Sequence, residues 1–313
     1  MLASAATALH LLTRPAIAQQ SIWMVTPGAS TREIVRALVD QDRLEVPTWL
    51  ALAWLRATDS HGALQAGEYR LARGSSAVAV FAQIRRGDVI QHSITFAEGL
   101  TTGQWLQQLA EDERLSRTED LNSDLARLLG TNEPVEGRFF PDTYQFIHGT
   151  ADVAILRRAF AQGRAQLERE WGKRQPDLPL DNLRQALVLA SIVEKETGLG
   201  ADRPRIAQVF MNRLRQDMRL QSDPTVIYGL REFDGDLLRS DLRRDGPYNT
   251  YMRHGLPPTP ICNPGLAAIR ATLHPEPGDY LYFVARGDGS SQFSKTLVEH
   301  NRAVRRYQLE AAR

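Results

Sequence analysis

The sequence contains a single cysteine, Cys262, and almost no excess charge of either sign. A lone thiol cannot form an internal disulfide, which is compatible with the cytoplasm and equally with a periplasmic protein that needs no cross-link. The 38 Lys and Arg residues are nearly balanced by 37 Asp and Glu residues, which gives a formal net charge of +1. Because surfaces that bind nucleic acids carry an excess of basic residues, this balance argues against a nucleic acid as the partner.

Histidine is present, but not at the spacing that metal sites show. None of the seven histidines pairs with another at a separation typical of metal ligands. The seven are His10, His61, His92, His148, His254, His274 and His300. The sequence therefore predicts neither a bound metal nor a cofactor.

A long apolar run is also missing from the N-terminus. The segment MLASAATALHLL is too short to span a bilayer, Arg14 interrupts it, and the basic start of a signal peptide is absent. Ala16-Ile17-Ala18 does have the small-residue pattern of a cleavage site. Residues 1–20 are therefore expected to be either the remnant of a membrane anchor or a weak signal.

Length and patterning predict two domains of the α+β class. A chain of 313 residues, 42% of them hydrophobic, is long for one globular domain. Residues 21–110 contain three similar units, each an extended run, a glycine turn and an amphipathic helix. Ser30-Thr31, Ser75-Ser76 and Thr101-Thr102 stand where the helix N-caps belong. The simplest interpretation of these units is a small α+β domain whose Trp and Leu residues form its core.

A carboxylate interrupts the apolar face of one predicted helix. After a possible cap at Asp181, apolar residues recur at steps of three and four along LVLASIV, and Glu194 falls on the same stripe. Removing an ionised Glu from water is unfavourable unless it is paired or protonated, so such an inconsistency often marks function. The alternative is that Glu194 pairs with an arginine such as Arg203, Arg205 or Arg213 in a structural ion pair.

A polar turn follows this helix. Gly198 and Gly200 end it, and residues 203–215 read as a second helix. The next run, RLQSDPTVIYG, concentrates hydroxyl, amide and carboxylate groups in a turn that returns toward the first helix. Such a set suits a polyhydroxylated ligand, although Ser-Asp-Pro-Thr is also an ordinary helix start.

The C-terminal third is rich in turns and then becomes regular. Pro247 to Tyr251 and Gly255 to Pro258 read as loops made rigid by proline. The pattern then predicts a helix over 266–273, a hairpin of strands 280–285 and 291–294, and a final helix over 297–309.

Five segments of the chain resemble one known family. They are VEGRFFPDTY, SIVEKETG, VFMNRLRQDMRLQSDPTVIYG, PYNTYMRHGLPP and YLYFVARGDGSSQFS. Together they are similar to the endolytic murein transglycosylases, the YceG-like family, and the similarity runs in order through roughly residues 20–308. The combination is far more specific than any one of the motifs.

This resemblance implies a domain plan and a location. It implies a small LysM-like domain at residues 21–90, a connecting β-α segment at 91–133, and a mixed α/β catalytic domain at 134–313. It also implies a single N-terminal anchor in the cytoplasmic (inner) membrane, with the catalytic domain in the periplasm. The implied substrate is the glycan strands of peptidoglycan. Termination of nascent strands would place the protein beside the peptidoglycan synthases.

The chemistry of such an enzyme can be matched to Glu194. A carboxyl group in apolar surroundings has a raised pKa and can protonate the leaving oxygen of a glycosidic bond. A lytic transglycosylase needs no second carboxylate, because the C6 hydroxyl of the muramic acid attacks its own C1 and leaves a 1,6-anhydro end. Glu194 would act first as acid and then as base, whereas Glu196 faces another side of the helix and is a poor partner for it.

The remaining candidates would bind the substrate. The resemblance makes Glu136 part of one wall of the active cleft, and Asp223 is the strongest candidate for a second carboxylate, although helix capping is its simpler explanation. By resemblance, further hydrogen bonds to the glycan would come from Gln221, Thr225, Tyr228, Asn249 and Tyr251. Each of these could equally be structural.

Two other functions remain open from the sequence. A lysozyme-like hydrolase would use Glu194 with Asp223 and a water molecule. A wall-binding scaffold without activity would instead keep Glu194 as a structural ion-paired residue.

Overall fold

The structure is a computed structural model that describes residues 2–58, 63–121 and 125–309. Outside the described residues lie small parts of the expected anchor, LysM-like domain, connecting segment and catalytic domain, namely residues 1, 59–62, 122–124 and 310–313. The chain divides into two compact units, residues 1–94 with 145–150 and residues 95–144 with 151–313.

The first unit is built on a two-stranded antiparallel sheet. Strand β1 (Ser21–Val25) pairs with β2 (Gly67–Leu71), and the register places Trp23 opposite Tyr69 on the buried face. The helices of this unit are α1 (Leu2–Thr13), α2 (Thr31–Asp40), α3 (Thr48–Ala57) and α4 (Ala77–Arg86). The predicted caps are confirmed, since Ser30 forms a capping box with Glu33 and Ser76 accepts the Ala79 N–H.

Residues near the N-terminus contribute to the core of the first unit. Leu12, Ala16 and Ile17 are buried among the apolar side chains of this unit, and α1 contacts α4. Within the described ranges, the chain forms no helix with both the length and the apolar character needed to cross a membrane.

The boundary between the units falls within two paired strands. These are β3 (Gln91–Thr95) and β4 (Thr143–Ile147), which form a two-stranded sheet. Helix α5 (Thr102–Glu111) belongs to the second unit and begins at a capping box formed by Thr101 and Gln104, as its sequence predicts.

The second unit contains most of the helices that surround the candidate site. They are α6 (Leu125–Leu128), α7 (Asp152–Trp171), α8 (Leu183–Glu196), α9 (Arg203–Arg215), α10 (Asp223–Gly229), α11 (Arg239–Arg243), α12 (Leu266–Leu273) and α13 (Leu297–Val304). A π-helical turn, Arg305–Leu309, follows α13. Strands β5 (Tyr282–Ala285) and β6 (Ser291–Ser294) form the predicted hairpin.

Helix α8 is the central element of the second unit. Residues 186–193 are buried on every side, as expected for a helix packed between others, and α8 contacts both α9 and α12. Its N-cap is Asn182, whose side chain accepts the Gln185 N–H at 3.0 Å. The expected cap, Asp181, instead accepts a bond from the Gln185 side chain. The C-terminal turn of α8 carries Glu194 and Glu196 beyond this buried stretch.

Candidate active site

Glu194 is held by two donors at the end of α8. Its side chain is 5% exposed, Gly265 N–H donates to Oε2 at 2.8 Å, and Arg203 Nη2 donates to Oε1 at 3.1 Å. Burial raises the pKa of Glu194, while the Gly265 N–H and the Arg203 charge oppose the rise and the Glu98 charge adds to it. Both oxygens therefore receive bonds that favour the ionised form. This is the ion pair with Arg203 that the sequence left open as an alternative.

Glu196 has a different environment, two residues further along the helix. Burial raises its pKa to about 7, the Ser222 hydroxyl opposes the rise by donating to Oε1, and the nearby Asp223 charge adds to it. A carboxyl group with a pKa near 7 is suited to give up and take back a proton at neutral pH. Of the two carboxyl groups, Glu196 has the electrostatics of a general acid.

The polar turn after α9 is held in place by a buried arginine. Arg213 is 6% exposed and donates through Nη1 to Leu220 O at 2.6 Å and through Nε to Leu281 O at 2.7 Å. The turn reverses at Gln221, whose φ of 50° lies in the left-handed region. This reversal brings Ser222 against Glu196 and starts α10 beside it.

Asp223 and Tyr251 meet beside Glu196. The Tyr251 hydroxyl donates to Asp223 Oδ1 at 2.6 Å, and the charges of Asp223 and Glu196 both contribute to raising the pKa of Tyr251, after burial. Asp223 is the first residue of α10 rather than its cap. Glu196, Ser222, Asp223 and Tyr251 thus form one group of interacting polar side chains, which we call the Glu196 cluster.

Two predicted substrate contacts are instead buried supports. Thr225 is fully buried, and its hydroxyl bonds to Ser222 O and to the Thr250 hydroxyl. Asn249 is 5% exposed, and its Nδ2 donates to the carbonyl oxygens of residues 241, 242 and 244. Its Oδ1 accepts the Tyr251 N–H at 2.9 Å. Both side chains position the loops that carry the Glu196 cluster.

Gln221, by contrast, is exposed at the surface of the turn. Its side-chain oxygen lies 3.5 Å from Arg213 Nη1, and its backbone N–H bonds to Thr250 O. Of the predicted glycan contacts, Gln221, Asp223 and Tyr251 therefore share one region with Glu196.

Glu136 and Tyr228 form a second polar group. Thr102 N–H donates to Glu136 Oε1 at 3.0 Å, and the Tyr228 hydroxyl lies 3.3 Å from Oε2. Burial raises the pKa of Glu136, and the Thr102, Gly137 and Tyr228 donors oppose the rise. Tyr228 connects the two groups, because it lies on α10 together with Asp223.

Glu196 is a candidate acid that the sequence analysis above considers only as a partner for Glu194. Two residues that are two positions apart on a helix are separated by about 200° around its axis. That separation turns Glu196 toward the hydroxyl-rich turn predicted to bind a glycan. This orientation is the sequence signal that identifies Glu196 as a candidate. As for metals, the described residues include no group of three or more His, Cys, Asp or Glu side chains placed to hold an ion.

Comparison with known proteins gives a consistent result. The sequence model of the YceG-like family matches residues 23–306. The endolytic murein transglycosylase of Bacillus subtilis (strain 168) is 33% identical over 265 residues, which cover 78% of this chain and 73% of that protein. The endolytic murein transglycosylase of Streptococcus pneumoniae serotype 2 (strain D39) is 27% identical over 279 residues, and the match spans 77% of this chain but only 50% of that protein.

A solved structure agrees with these relatives. The crystal structure of a YceG-like protein from Listeria monocytogenes superposes with a TM-score of 0.58 at 30% sequence identity. The match covers 91% of this chain and 98% of the Listeria chain.

Proposed function

This chain belongs to the YceG-like family, and from that premise we propose that it is an endolytic lytic transglycosylase of peptidoglycan. The relatives named endolytic murein transglycosylase support this activity, which makes the protein a lyase acting on the cell wall. The observation that carries the proposal within the structure is a carboxyl group with a pKa of about 7 beside hydroxyl-rich loops.

Glu196 is the proposed acid and base. In its protonated form it gives a proton to the glycosidic oxygen between MurNAc and GlcNAc as the bond from that oxygen to C1 breaks. The C6 hydroxyl of the same MurNAc then attacks C1, and its proton passes to the Glu196 carboxylate. The products are a free GlcNAc hydroxyl and a 1,6-anhydro-MurNAc end, and Glu196 is protonated again.

In this proposal Glu194 has a supporting role. Its bonds to Arg203 and Gly265 fix the end of α8 against α9 and the start of α12. Asp223 and Tyr251 are proposed to orient the sugar in front of Glu196, together with the exposed Gln221.

Paired substitutions test which carboxyl group acts. Glu196→Gln is expected to reduce cleavage of purified glycan strands by about 10²- to 10⁴-fold, because the amide cannot transfer the proton. Glu194→Gln keeps the shape but loses the ion pair, so the main expected effect is a lower melting temperature with a smaller loss of rate. Strand cleavage is followed by chromatography. A nearly inactive Glu194→Gln beside an active Glu196→Gln would return the catalytic role to Glu194.

A peptidoglycan hydrolase is the second candidate, and the position of Asp223 is the observation that favours it. Asp223 lies close enough to Glu196 for its charge to raise the pKa of that residue. A hydrolase adds water through a second carboxylate, and Asp223 could take that part.

The proposal also includes a role for the first unit and a cellular location for the protein. The strand, glycine turn and helix arrangement that resembles a LysM-like domain is present at β1–α2 and β2–α4, which supports a role in binding peptidoglycan. We propose action on the outer side of the cytoplasmic membrane, where the substrate lies, at an anchored position beside peptidoglycan synthases. The anchor and the synthase partners rest on the family resemblance alone.

A further inference from the structure

The second unit contains a cavity of about 500 Å³ that the proposed chemistry does not use. It lies along the N-terminal half of α8, between that helix, α7 and the segment that follows Pro134. Its volume falls in the range of sites that bind small ligands. The apolar part of its lining consists mainly of Phe139, Phe140, Phe160, Leu183, Leu187 and Ile269.

Charged side chains also line this cavity, and most of them are already paired. Arg138 bonds to Glu133 at 3.0 Å, and Arg164 bonds to Glu168 at 2.8 Å. Arg184 differs, because its Nη2 donates to Pro258 O at 2.6 Å and its charge has no ion-pair partner in the described part of the chain. Among the described residues, the lining thus combines an apolar surface with Arg184, a cation available to receive a carboxylate.

Two residues of the cavity lining are hydrogen-bonded to tyrosines that lie near the proposed active site. Glu136 and Thr259 line the cavity, Glu136 accepts a bond from the Tyr228 hydroxyl, and Thr259 bonds to the Tyr248 hydroxyl at 2.7 Å. Tyr228 and Tyr248 contact each other edge to face. Because Tyr228 shares α10 with Asp223, a ligand held at the Glu196 cluster could continue along Tyr228 into the cavity.

We propose that this cavity binds the stem peptide attached to the muramic acid next to the cleaved bond. The proposal rests on the proposed function, since only a peptidoglycan strand presents such a peptide. Stem peptides carry methyl and methylene groups together with free carboxylates, which match the apolar surface and Arg184. A neutral sugar would offer no carboxylate to the exposed Arg184 and would place hydroxyl groups against the apolar floor.

The distance from the active site fits this occupant. Leu187 in the cavity and Glu196 lie nine residues apart on α8, which corresponds to about 14 Å along the helix axis. Four residues of extended peptide span up to about 14 Å. A fully extended tetrapeptide that starts at the muramic acid therefore has the length needed to reach Leu187.

Two variants test this assignment. Arg184→Glu reverses the unpaired charge, and Leu183→Trp fills part of the cavity from a half-buried position. The matched control is Arg302→Glu, which reverses an exposed charge on α13. Each full-length variant is incubated with strands that carry tetrapeptide stems and with strands stripped of their peptides, and melting curves establish that each is folded. The readout is kcat/KM on the strands that carry tetrapeptide stems divided by kcat/KM on the stripped strands.

The proposal predicts that this ratio falls about tenfold in Arg184→Glu, which corresponds to one weakened charge-assisted contact of about 1.4 kcal/mol. A fall of similar size is expected in Leu183→Trp, because the indole occupies part of the space for the peptide, and Arg302→Glu is expected to keep the wild-type ratio. An unchanged ratio in both cavity variants would overturn it. If the ratio is unchanged because both substrates lose activity equally, the cavity is a glycan subsite instead.

A direct binding measurement separates this proposal from the proposed function. A synthetic tetrapeptide stem is titrated into the full wild-type chain by calorimetry, and we expect binding that Arg184→Glu weakens about tenfold and Arg302→Glu leaves unchanged. If the wild type cleaves neither substrate, the proposed function fails while the titration still decides the cavity. A wild type that does not bind the peptide overturns the assignment even if the enzyme is active.

Discussion

Glu194 and Glu196 lie on one turn of α8 and have opposite surroundings. Glu194 receives an N–H bond and an arginine, both of which stabilise its charge. Burial keeps Glu196 protonated up to about pH 7, and the Asp223 charge adds to this effect while the Ser222 hydroxyl opposes it. The same burial that makes both residues unusual in sequence therefore leads to an ion pair in one case and to a titratable acid in the other.

This difference predicts the pH dependence of the reaction at the residue scale. The reaction begins with protonated Glu196, so kcat/KM on glycan strands is expected to be flat at low pH and to fall above about pH 7. Well above that value, each pH unit lowers the protonated fraction and the rate about tenfold.

The pH profile is measured from initial rates between pH 5 and 9, with protein stability recorded at each pH. The decrease at high pH should be absent from the residual rate of Glu196→Gln and retained in Glu194→Gln. A wild-type profile that already falls near the ordinary pKa of a glutamate would contradict the assignment.

At the scale of elements, local sequence patterns predict most helix and strand bounds, and hydrogen bonds between distant residues accompany the differences. Helices α9 and α12 and strand β6 have the bounds that the sequence predicts. Strand β5 begins at Tyr282 rather than Tyr280, opposite the last residue of β6, and side chains of α9 bond to the two carbonyl oxygens before it: Asn212 donates to Tyr280 O and Arg213 to Leu281 O. The alternation of residues in 280–285 cannot predict these bonds, because their donors lie on α9.

The loop that carries Tyr251 depends on Asn249 in the same way. Asn249→Ala is expected to lower the free energy of unfolding by about 2 kcal/mol, because three carbonyl oxygens lose their shared donor. Urea denaturation measures the change.

The control is Asn301→Ala, an exposed position on α13 where the change should stay within about 0.5 kcal/mol. If Asn249→Ala has the stability of the wild type and only KM rises, Asn249 is a glycan contact after all and the supporting role is wrong.

At the scale of the whole molecule, the sequence predicts two α+β parts, and the structure divides into two units with separate buried clusters. The third repeat-like unit shows what similarity alone does not reveal. Its helix α5 belongs to the second unit, where Trp105 stacks on Phe96 at 3.9 Å between ring centroids and lies 5.6 Å from Phe139. Phe96 belongs to the same repeat-like unit, but Phe139 lies outside it, so the repeat pattern predicts the helix and not its packing against Phe139.

The candidate site likewise depends on contacts that form only in the folded chain. The sequence predicts a carboxyl group on α8 and a polar turn, and the motifs identify the family. The choice between Glu194 and Glu196 depends on Gly265, Arg203 and Ser222, which meet only in the fold.

The mass of the released products tests the central claim most directly. The full-length protein is incubated with purified peptidoglycan strands, and the fragments are analysed by mass spectrometry beside those from Glu196→Gln and Asp223→Asn. We predict products one water lighter than reducing-end fragments, still formed by Asp223→Asn and absent with Glu196→Gln. Reducing ends that depend on Asp223 would contradict the account and establish a hydrolase, and no cleavage by the folded wild type would leave a wall-binding scaffold.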